Sequence, residues 1–477
     1  MRVLPNWVSP GPKACLPSGV RIINLNPDAD IGASSWFVDL EGHTVLFDAG
    51  VHPKREGRAG LPLFSKIEHE DLDAIVVTHC HHDHVGALPV ALQKFPSARV
   101  LMTELSYFLV ERVLHNSVNV MERQRAELGI RDYPFFTHEQ VDDYAPVFQG
   151  FKCGREIEFA LPHKMGRGVR SPTLEFYDAG HALGSAGVLM RGQKQTLFYT
   201  GDVCFHDQTI LRKADFQDVR ADVLIMETTR GAVEVPKKWS RDAELDRLAN
   251  VLLETLKRKG SVLIPAFALG RTQEILAELA LLMDSGRLRR QPVHIGGLGR
   301  VFTEIYDLES HRANRSLTKL KLTEALDLQV LSPKNIASVK LSPGKIFVIT
   351  AGMMTENTAA HDLAARMAGD PKHSILFVGY SDPDSPAGRL RKARPGTRFN
   401  FSGSAGQLTK SCQMEEFDLT AHANRRDLLE FVGQVQPKVV LLGHGDGTAR
   451  SWFSHQIKKH WPRIKVYTPG PGQVVEG

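Results

Sequence analysis

The chain has 477 residues, with 59 Lys and Arg against 54 Asp and Glu, and a formal net charge of +5. This length predicts two or three domains with a sizeable core, and the mild basic excess permits a polyanionic partner without requiring one. No apolar run is long enough to span a membrane and residues 1–12 lack a secretory pattern, so we expect a cytoplasmic protein without membrane contact. The five cysteines form no Cys-x-x-Cys pair, so we expect no disulfides.

The N-terminal region is predicted to be rich in β-strands. Strands are predicted over 20–25, 35–40 and 44–48, with Glu41-Gly42 as a hairpin turn between the last two. Asp48 closes the third strand, where a carboxylate either forms a turn before a glycine or orients a ligand histidine. Further along the chain, helical spacing extends over 104–114 and 118–128, and strands are predicted over 74–78, 159–161, 173–178 and 196–200.

The strand over 74–78 runs directly into the sequence HCHHDH, residues 79–84. Imidazole nitrogen and carboxylate oxygen both suit Zn²⁺, and one short loop can aim several of them at neighbouring points. A single ion cannot easily use all of them, because adjacent and alternate side chains diverge, so the loop predicts two metal ions. The alternative is a histidine-rich surface loop. The ligand-type residues are His79, His81, Asp83 and His84, whereas Cys80 alternates away and is predicted to be structural.

Two later strands end in the same kind of residue. His181 follows the strand over 173–178, among glycines and alanines, and Asp202 follows the strand over 196–200. A lone histidine among small residues is usually an ordinary loop residue. Open α/β sheets, however, place their chemistry at strand ends, so the repetition favours one shared site.

From residue 207 onward, strands and helices alternate. Strands are predicted over 222–227, 261–267, 293–297, 345–351 and 374–380, with helices over 241–257, 270–283, 300–309 and 359–368. This alternation is typical of a mainly parallel sheet and predicts a second α/β domain over 207–395. Glu227 ends its first strand. In the remaining chain, His422 precedes a helix over 425–435, and His444 follows a strand over 438–442.

In order and spacing, these residues resemble the motifs of the metallo-β-lactamase superfamily. Asp48 resembles the first motif, the loop over 79–84 the second, His181 the third and Asp202 the fourth. The resemblance implies an α/β fold, namely a four-layer αββα metallo-β-lactamase sandwich with an inserted parallel-sheet α/β domain. The expected boundaries are 1–206 for the first part of the sandwich, 207–395 for the insert and 396–477 for the returning part.

The later part of the chain resembles the β-CASP branch of that superfamily, which cuts nucleic acids. Glu227, His422 and His444 are similar to its motifs A, B and C, and the segment IPAFALGRTQEIL at 264–276 is also similar. The resemblance implies one zinc ion on His79, His81 and His181 and a second on Asp83, His84 and His444, with Asp202 bridging both and Asp48 orienting the loop. Mn²⁺ is the alternative metal. Catalytic roles are implied for Asp83, Glu227 and His422, the last two as an acid/base pair.

The implied function is that of a zinc-dependent ribonuclease, which hydrolyses phosphodiester bonds of single-stranded RNA by a two-metal hydroxide mechanism in RNA processing or decay. One alternative is a DNA exonuclease or small-phosphodiester hydrolase with the same dizinc site, and another is a non-catalytic scaffold subunit. A homodimer or a processing complex is expected. Phosphate contacts are predicted for a basic segment and for one helix start, with a solvated face as the alternative. These residues are Arg389, Arg391, Lys392 and Arg271.

Four segments depart from the family pattern. Thr228-Thr229-Arg230-Gly231 stands where relatives often have Tyr-Gly after motif A, and 379–385 reads GYSDPDS where Gly-Tyr-x-x-x-Gly-Thr is usual. The segments 28–35 and 296–299 also differ. We expect all four on the substrate side, so they bear on substrate choice and leave the metal ligands unchanged.

Overall fold

The computed structural model describes residues 16–165, 170–236, 238–331 and 335–477. The segment 1–12, for which we expected no secretory signal, lies outside these ranges, as does Cys15. Across the described ranges, no helix combines the length and the apolar character that crossing a bilayer would take.

The strands are β1 (Val20–Asn24), β2 (Trp36–Leu40), β3 (His43–Phe47), β4 (Ala74–Val76), β5 (Arg99–Thr103), β6 (Phe148–Phe151), β7 (Glu156–Glu158), β8 (Thr173–Asp178), β9 (Ala186–Arg191), β10 (Thr196–Tyr199), β11 (Val223–Glu227), β12 (Val262–Ala266), β13 (Val293–Gly296), β14 (Leu328–Leu331), β15 (Ile346–Thr350), β16 (Ser374–Phe377), β17 (Arg398–Ser402), β18 (Gly406–Thr409), β19 (Gln413–Glu416), β20 (Val439–Gly443), β21 (Lys465–Tyr467) and β22 (Val474–Glu476). The helices are α1 (His82–Val85), α2 (Leu88–Lys94), α3 (Glu104–Leu128), α4 (His138–Tyr144), α5 (Arg241–Lys257), α6 (Arg271–Asp284), α7 (Gly297–Leu308), α8 (Leu322–Ala325), α9 (Ala359–Met367), α10 (Pro386–Lys392), α11 (Arg425–Val435) and α12 (Gly447–His460).

Two seven-stranded sheets form the first domain, with orders β22-β1-β2-β3-β4-β5-β6 and β21-β20-β11-β10-β9-β8-β7. Apolar side chains of both sheets, such as Val38 and Val188, share one core between them. Helices α2 and α3 pack on the outer face of the first sheet, and α11 and α12 on that of the second. This arrangement confirms the predicted four-layer αββα sandwich.

The inserted domain is a six-stranded sheet of order β14-β13-β15-β12-β16-β19, in which every neighbouring pair is parallel. Helices α5, α6 and α7 pack on one face, and α9 and α10 on the other. Both faces are therefore covered, as the hydrophobic strands of a parallel sheet require. The predicted parallel-sheet insert is confirmed.

The boundaries of the insert differ from the predicted 207–395. Strand β11, which carries Glu227, lies in the second sheet of the sandwich, parallel to both β10 and β20. Conversely, β19 completes the sheet of the insert beyond residue 395. Both errors have the same cause, because parallel neighbours are distant in sequence and a local pattern does not reveal which sheet a strand joins.

Smaller differences concern single elements. The two helical stretches over 104–128 form one continuous helix, α3, and the strand predicted over 159–161 lies earlier, at β7. The Glu41-Gly42 hairpin is confirmed, since Leu40 pairs with His43 and both turn residues have positive φ, 57° and 89°. That conformation suits the twist of the two strands.

Candidate metal centre

The histidine loop leaves the carboxyl end of β4 and turns directly into the short helix α1. Residues 34 and 50 pack against its backbone, where Ser34 N donates to Asp83 O at 2.8 Å. A Cβ at position 50 would lie 1.7 Å from Asp83 O, so only glycine allows this approach. The backbone of the loop is thus held by its contacts with residues 34 and 50.

Asp48 lies beneath the loop, fully buried, with φ at +60°. Its carboxylate accepts hydrogen bonds from Thr78 N at 2.8 Å, from Tyr199 Oη at 3.0 Å and from His84 Nδ1 at 2.8 Å. A carboxylate with this many donors is a rigid anchor, and it leaves Nε2 of His84 free to bind a metal. This geometry matches the orienting role expected for Asp48, not the simple turn.

Three imidazoles and one carboxylate converge in the first ligand group, which consists of His79, His81, His181 and Asp202. His81 Nδ1 lies 3.1 Å from both His79 Nε2 and His181 Nε2. Asp202 Oδ2 lies 3.6 Å from His79 Nε2 and 3.7 Å from His181 Nε2. Nitrogen ligands of tetrahedral zinc are about 3.3 Å apart, given Zn–N bonds near 2.0 Å, so the spacing suits one zinc-sized ion.

The tautomers of this group can be assigned from its outer contacts. His81 Nε2 faces Leu269 O at 3.2 Å, and His181 Nδ1 faces Ala421 O at 2.9 Å. A carbonyl oxygen only accepts, so both protons are on these outer nitrogens. Burial lowers the pKa of both imidazoles, most strongly for His181, and keeps them neutral. His81 Nδ1 and His181 Nε2 therefore face each other with bare lone pairs, an arrangement that a cation between them would stabilise.

The second ligand group comprises Asp83, His84 and His444. His84 Nε2 and His444 Nε2 lie 3.3 Å apart, and Asp83 Oδ2 lies 3.4 Å from His444 Nε2. Burial alone would lower the pKa of His84, but the carboxylates of Asp202 and Asp48 raise it well above its ordinary value. The position thus favours a positive charge.

Asp202 lies between the two groups. Its Oδ2 is 3.6 Å from His79 Nε2 and 3.4 Å from His84 Nε2, and its Oδ1 is 3.1 Å from His444 Nδ1 without forming a well-directed hydrogen bond among the described residues. Burying a carboxylate is costly unless its oxygens find partners. The donor set, the facing lone pairs and this buried carboxylate between the two groups all fit a pair of divalent cations shared through Asp202.

The predicted acid/base pair lies beside the first group. Glu227 is buried and accepts from Val203 N at 2.7 Å, and its Oε2 lies 3.1 Å from His422 Nδ1. The ring centroid of His422 is 4.6 Å from that of His181. Burial lowers the pKa of His422, but Glu227 and Asp202 outweigh this effect and raise it. The imidazole therefore retains a proton at higher pH than an ordinary histidine.

The site opens to solvent on one side. The side chains of Asp83 and His422 are 25% and 21% exposed, whereas that of Asp202 is 3% exposed. A substrate would thus meet Asp83 and His422 first.

Three family models match successive parts of the chain. They are the metallo-beta-lactamase superfamily over residues 29–163, the Beta-Casp domain over 272–390 and the Zn-dependent metallo-hydrolase RNA specificity domain over 408–469. The chain belongs to the β-CASP branch of the metallo-β-lactamase superfamily. This fold implies a divalent metal at the ligand groups described above.

Similar β-CASP proteins are named endoribonucleases. The Endoribonuclease ysh1 of Schizosaccharomyces pombe is 27% identical over 459 residues, covering 94% of this chain and 58% of that protein. The Endoribonuclease YSH1 of Saccharomyces cerevisiae is 23% identical over 461 residues, covering 93% and 57%. The chain thus spans less than two thirds of these relatives. A crystal structure of a protein of unknown function from Enterococcus faecalis V583 matches with a TM-score of 0.54 at 13% identity, covering 96% of this chain and 99% of that one.

The predicted phosphate-binding residues fall into two classes. Arg271, at the start of α6, is buried, and its guanidinium contacts Leu419 O and Gln208 Oε1. The prediction for Arg271 is therefore corrected, because the side chain ties the insert to the sandwich and has no free donor face toward solvent. Arg389 and Lys392 are exposed near the end of α10, as the prediction required, and Arg391 is half-buried.

Sequence reasoning missed several residues that position the candidate metal ligands. Thr229 Oγ1 lies 3.0 Å from His444 Nδ1, and Tyr199 and Thr78 bind Asp48. Thr78 directly precedes the histidine loop, and Thr229 lies two residues after Glu227, so sequence proximity was the available signal. Tyr199, at the end of β10, carried none. The contact of Thr229 with His444 also corrects the expectation that the segment 228–231 lies only on the substrate side.

Proposed function

We propose that this protein is a metal-dependent endoribonuclease that cleaves single-stranded RNA with two zinc ions, with Mn²⁺ as the alternative metal. The observation that carries the proposal is the Glu227–His422 pair beside two complete ligand groups. His422 Nδ1 is 3.1 Å from Glu227 Oε2, and its ring is 4.6 Å from His181. The name of the relatives, endoribonuclease, supports RNA as the substrate and internal cleavage as the mode.

The residues divide the chemistry between them. When bound, a pair of divalent cations would lower the pKa of a water molecule and offset the charge of the phosphate oxygens. Asp202, within 3.7 Å of nitrogens in both ligand groups, would hold the two cations at a fixed separation. Glu227 orients His422 by its contact with Nδ1 and favours the protonated ring, which would give its Nε2 proton to the departing oxygen.

The test is incubation of the protein and zinc with end-labelled RNAs that carry either a 5′-phosphate or a 5′-hydroxyl. We expect internal fragments from both RNAs and their loss in His81→Ala. His82 is a matched control in the same loop, because it is exposed and belongs to neither ligand group, so His82→Ala should retain cleavage.

The same gel distinguishes the other candidate functions. Shortening from one end only would indicate an exonuclease. Cleavage of single-stranded DNA or of a model phosphodiester faster than cleavage of RNA would indicate that one of these is the substrate. Intact RNA with wild-type protein, together with a metal content near zero, would support a non-catalytic scaffold.

A further inference from the structure

A cavity of about 330 Å³ lies on the inserted domain, where β16 and β19 end side by side. These strands are parallel neighbours, with Phe377 opposite Glu416, and open parallel sheets bind ligands at such carboxyl ends. The lining includes Tyr380, Ser381, Pro383, Arg391, Lys392 and Glu416. Part of this lining is the segment 379–385, one of the four departures from the family sequence.

The Tyr380 ring is available to a ligand. The residue is 53% exposed, and its hydroxyl makes no hydrogen bond within the described ranges. The loop that carries it is nonetheless held in place, because Arg391 Nη1 donates to Ser381 Oγ at 2.7 Å and Ser385 caps α10. The loop that presents the aromatic ring is therefore already ordered, which lowers the entropy cost of binding.

Two cationic side chains line the cavity, and only one of them forms an ion pair there with a described residue. Arg391 contacts the Glu416 carboxylate, and this ion pair lowers the pKa of Glu416. The Arg391 guanidinium also lies over the Phe377 ring, 5.4 Å from its centroid. Lys392 is exposed and makes no hydrogen bond or close ion pair with other described residues, although its charge helps to lower the pKa of nearby Asp382. The cavity therefore offers an aromatic face, a neutralised ion pair and an exposed ammonium group.

The cavity is connected to the metal centre through the domain boundary. Asp382, two residues after Tyr380, pairs with Lys54 Nζ at 2.7 Å. Lys54 belongs to the loop in which Val51 N donates to His82 O at 3.1 Å. The Tyr380 loop is thus tied to the segment whose backbone contacts the histidine loop.

We propose that this cavity is a nucleotide subsite, in which Tyr380 stacks on one base of single-stranded RNA and Lys392 contacts an adjacent phosphate. Aromatic stacking with a flanking cation is a common, sequence-tolerant way to hold single-stranded nucleic acid. The assignment rests on the proposed function for the identity of the polymer.

RNA binding by protein in an Asp83→Asn background, which prevents cutting, tests the subsite. Fluorescence anisotropy with an RNA of about 12 nucleotides should show weakening by roughly 5- to 100-fold for Tyr380→Ala and near-normal affinity for Tyr380→Phe, because stacking needs only the ring. Lys392→Ala should reduce the slope of log affinity against log salt by about one. Tyr107, 43% exposed on α3, provides the control variant Tyr107→Ala, which should bind normally.

A set of RNAs that each lack one base sharpens the result. Removal of the base at one position should weaken binding when Tyr380 is present. Removal of the same base should not weaken binding further in Tyr380→Ala. Equal affinity of Tyr380→Ala and wild type, or equal weakening by Tyr380→Phe, would overturn the subsite. If the wild type cleaves RNA but Tyr380→Ala does not weaken binding, the subsite alone is refuted. If binding depends on Tyr380 but the wild type does not cleave RNA, only the proposed endoribonuclease activity is refuted.

Discussion

The two ligand groups of the candidate metal centre are positioned in different ways. In the first group the outer nitrogens of His81 and His181 are held by two backbone carbonyls, Leu269 O and Ala421 O. In the second, His84 is held by the buried carboxylate of Asp48, and His444 by the hydroxyl of Thr229. The first group is thus oriented in part by the inserted domain, through Leu269, whereas among the described residues the inserted sheet and its helices contribute no contact of this kind to the second.

This difference has a structural consequence. Leu269 precedes α6 of the inserted domain, so the proton position of His81 depends on how the insert packs against the sandwich. Asp48 belongs to the sandwich itself, at the end of β3. Docking of the insert should therefore influence one ligand group and leave the other intact.

The largest expected effects come from removing one ligand of each group. His181→Ala and His444→Ala should each reduce RNA cleavage by at least about 1000-fold, because each would remove one cation of the proposed two-metal reaction. Elemental analysis should show one metal per chain in place of two. If either variant kept both metals and normal activity, its group would not be a ligand set.

The next largest effects are expected from substitutions in the proposed acid/base pair, which should slow cleavage without changing the metal content. Glu227→Gln and His422→Ala should slow cleavage by roughly 10²–10⁴-fold, the contribution of a positioned proton donor. Both variants should retain two metals. Loss of metal in Glu227→Gln would show instead that Glu227 supports the ligands.

A smaller effect is expected for Asp48→Asn, confined to the second group. Removing such an orienting carboxylate should weaken one metal by about 10- to 100-fold in a chelator competition and leave the other unchanged. Asp73 is a matched control, since it is buried in the same domain and accepts hydrogen bonds from Thr44 N and Leu161 N, each at 2.8 Å. Asp73→Asn should lower stability but not metal affinity.

The smallest effect should follow from Gly270→Ala, confined to the first group. Gly270 has φ at +91°, which strains any residue with a Cβ, and it follows the Leu269 carbonyl that orients His81. We expect several-fold weaker binding of one metal in the same chelator competition. Gly286→Ala, at φ +74° near the other end of α6, should leave both metals unchanged.

Residues at strand ends were predictable because sheet geometry fixes their place. His79, His181, Asp202 and His444 each follow a strand, and the structure brings them together as the repetition indicated. Helix α5 also begins and ends at the predicted residues, 241 and 257, and Ser240 caps its start. These features depend on local spacing alone.

Features that depend on the packing of distant segments were not predictable. Strand β11 joins the sandwich through two parallel neighbours, one of them more than 200 residues away in sequence. Arg271 looked like an exposed helix start, but the contact between the domains buries it. The same contact brings Leu269 O to His81, and no sequence motif marks a carbonyl.

Anomalous scattering from zinc-loaded crystals would locate the metal ions directly. We expect two peaks about 3.5–4 Å apart, one among His79, His81 and His181 and the other among Asp83, His84 and His444, with Asp202 between them. A single peak, or zinc outside these two groups, would contradict this expectation.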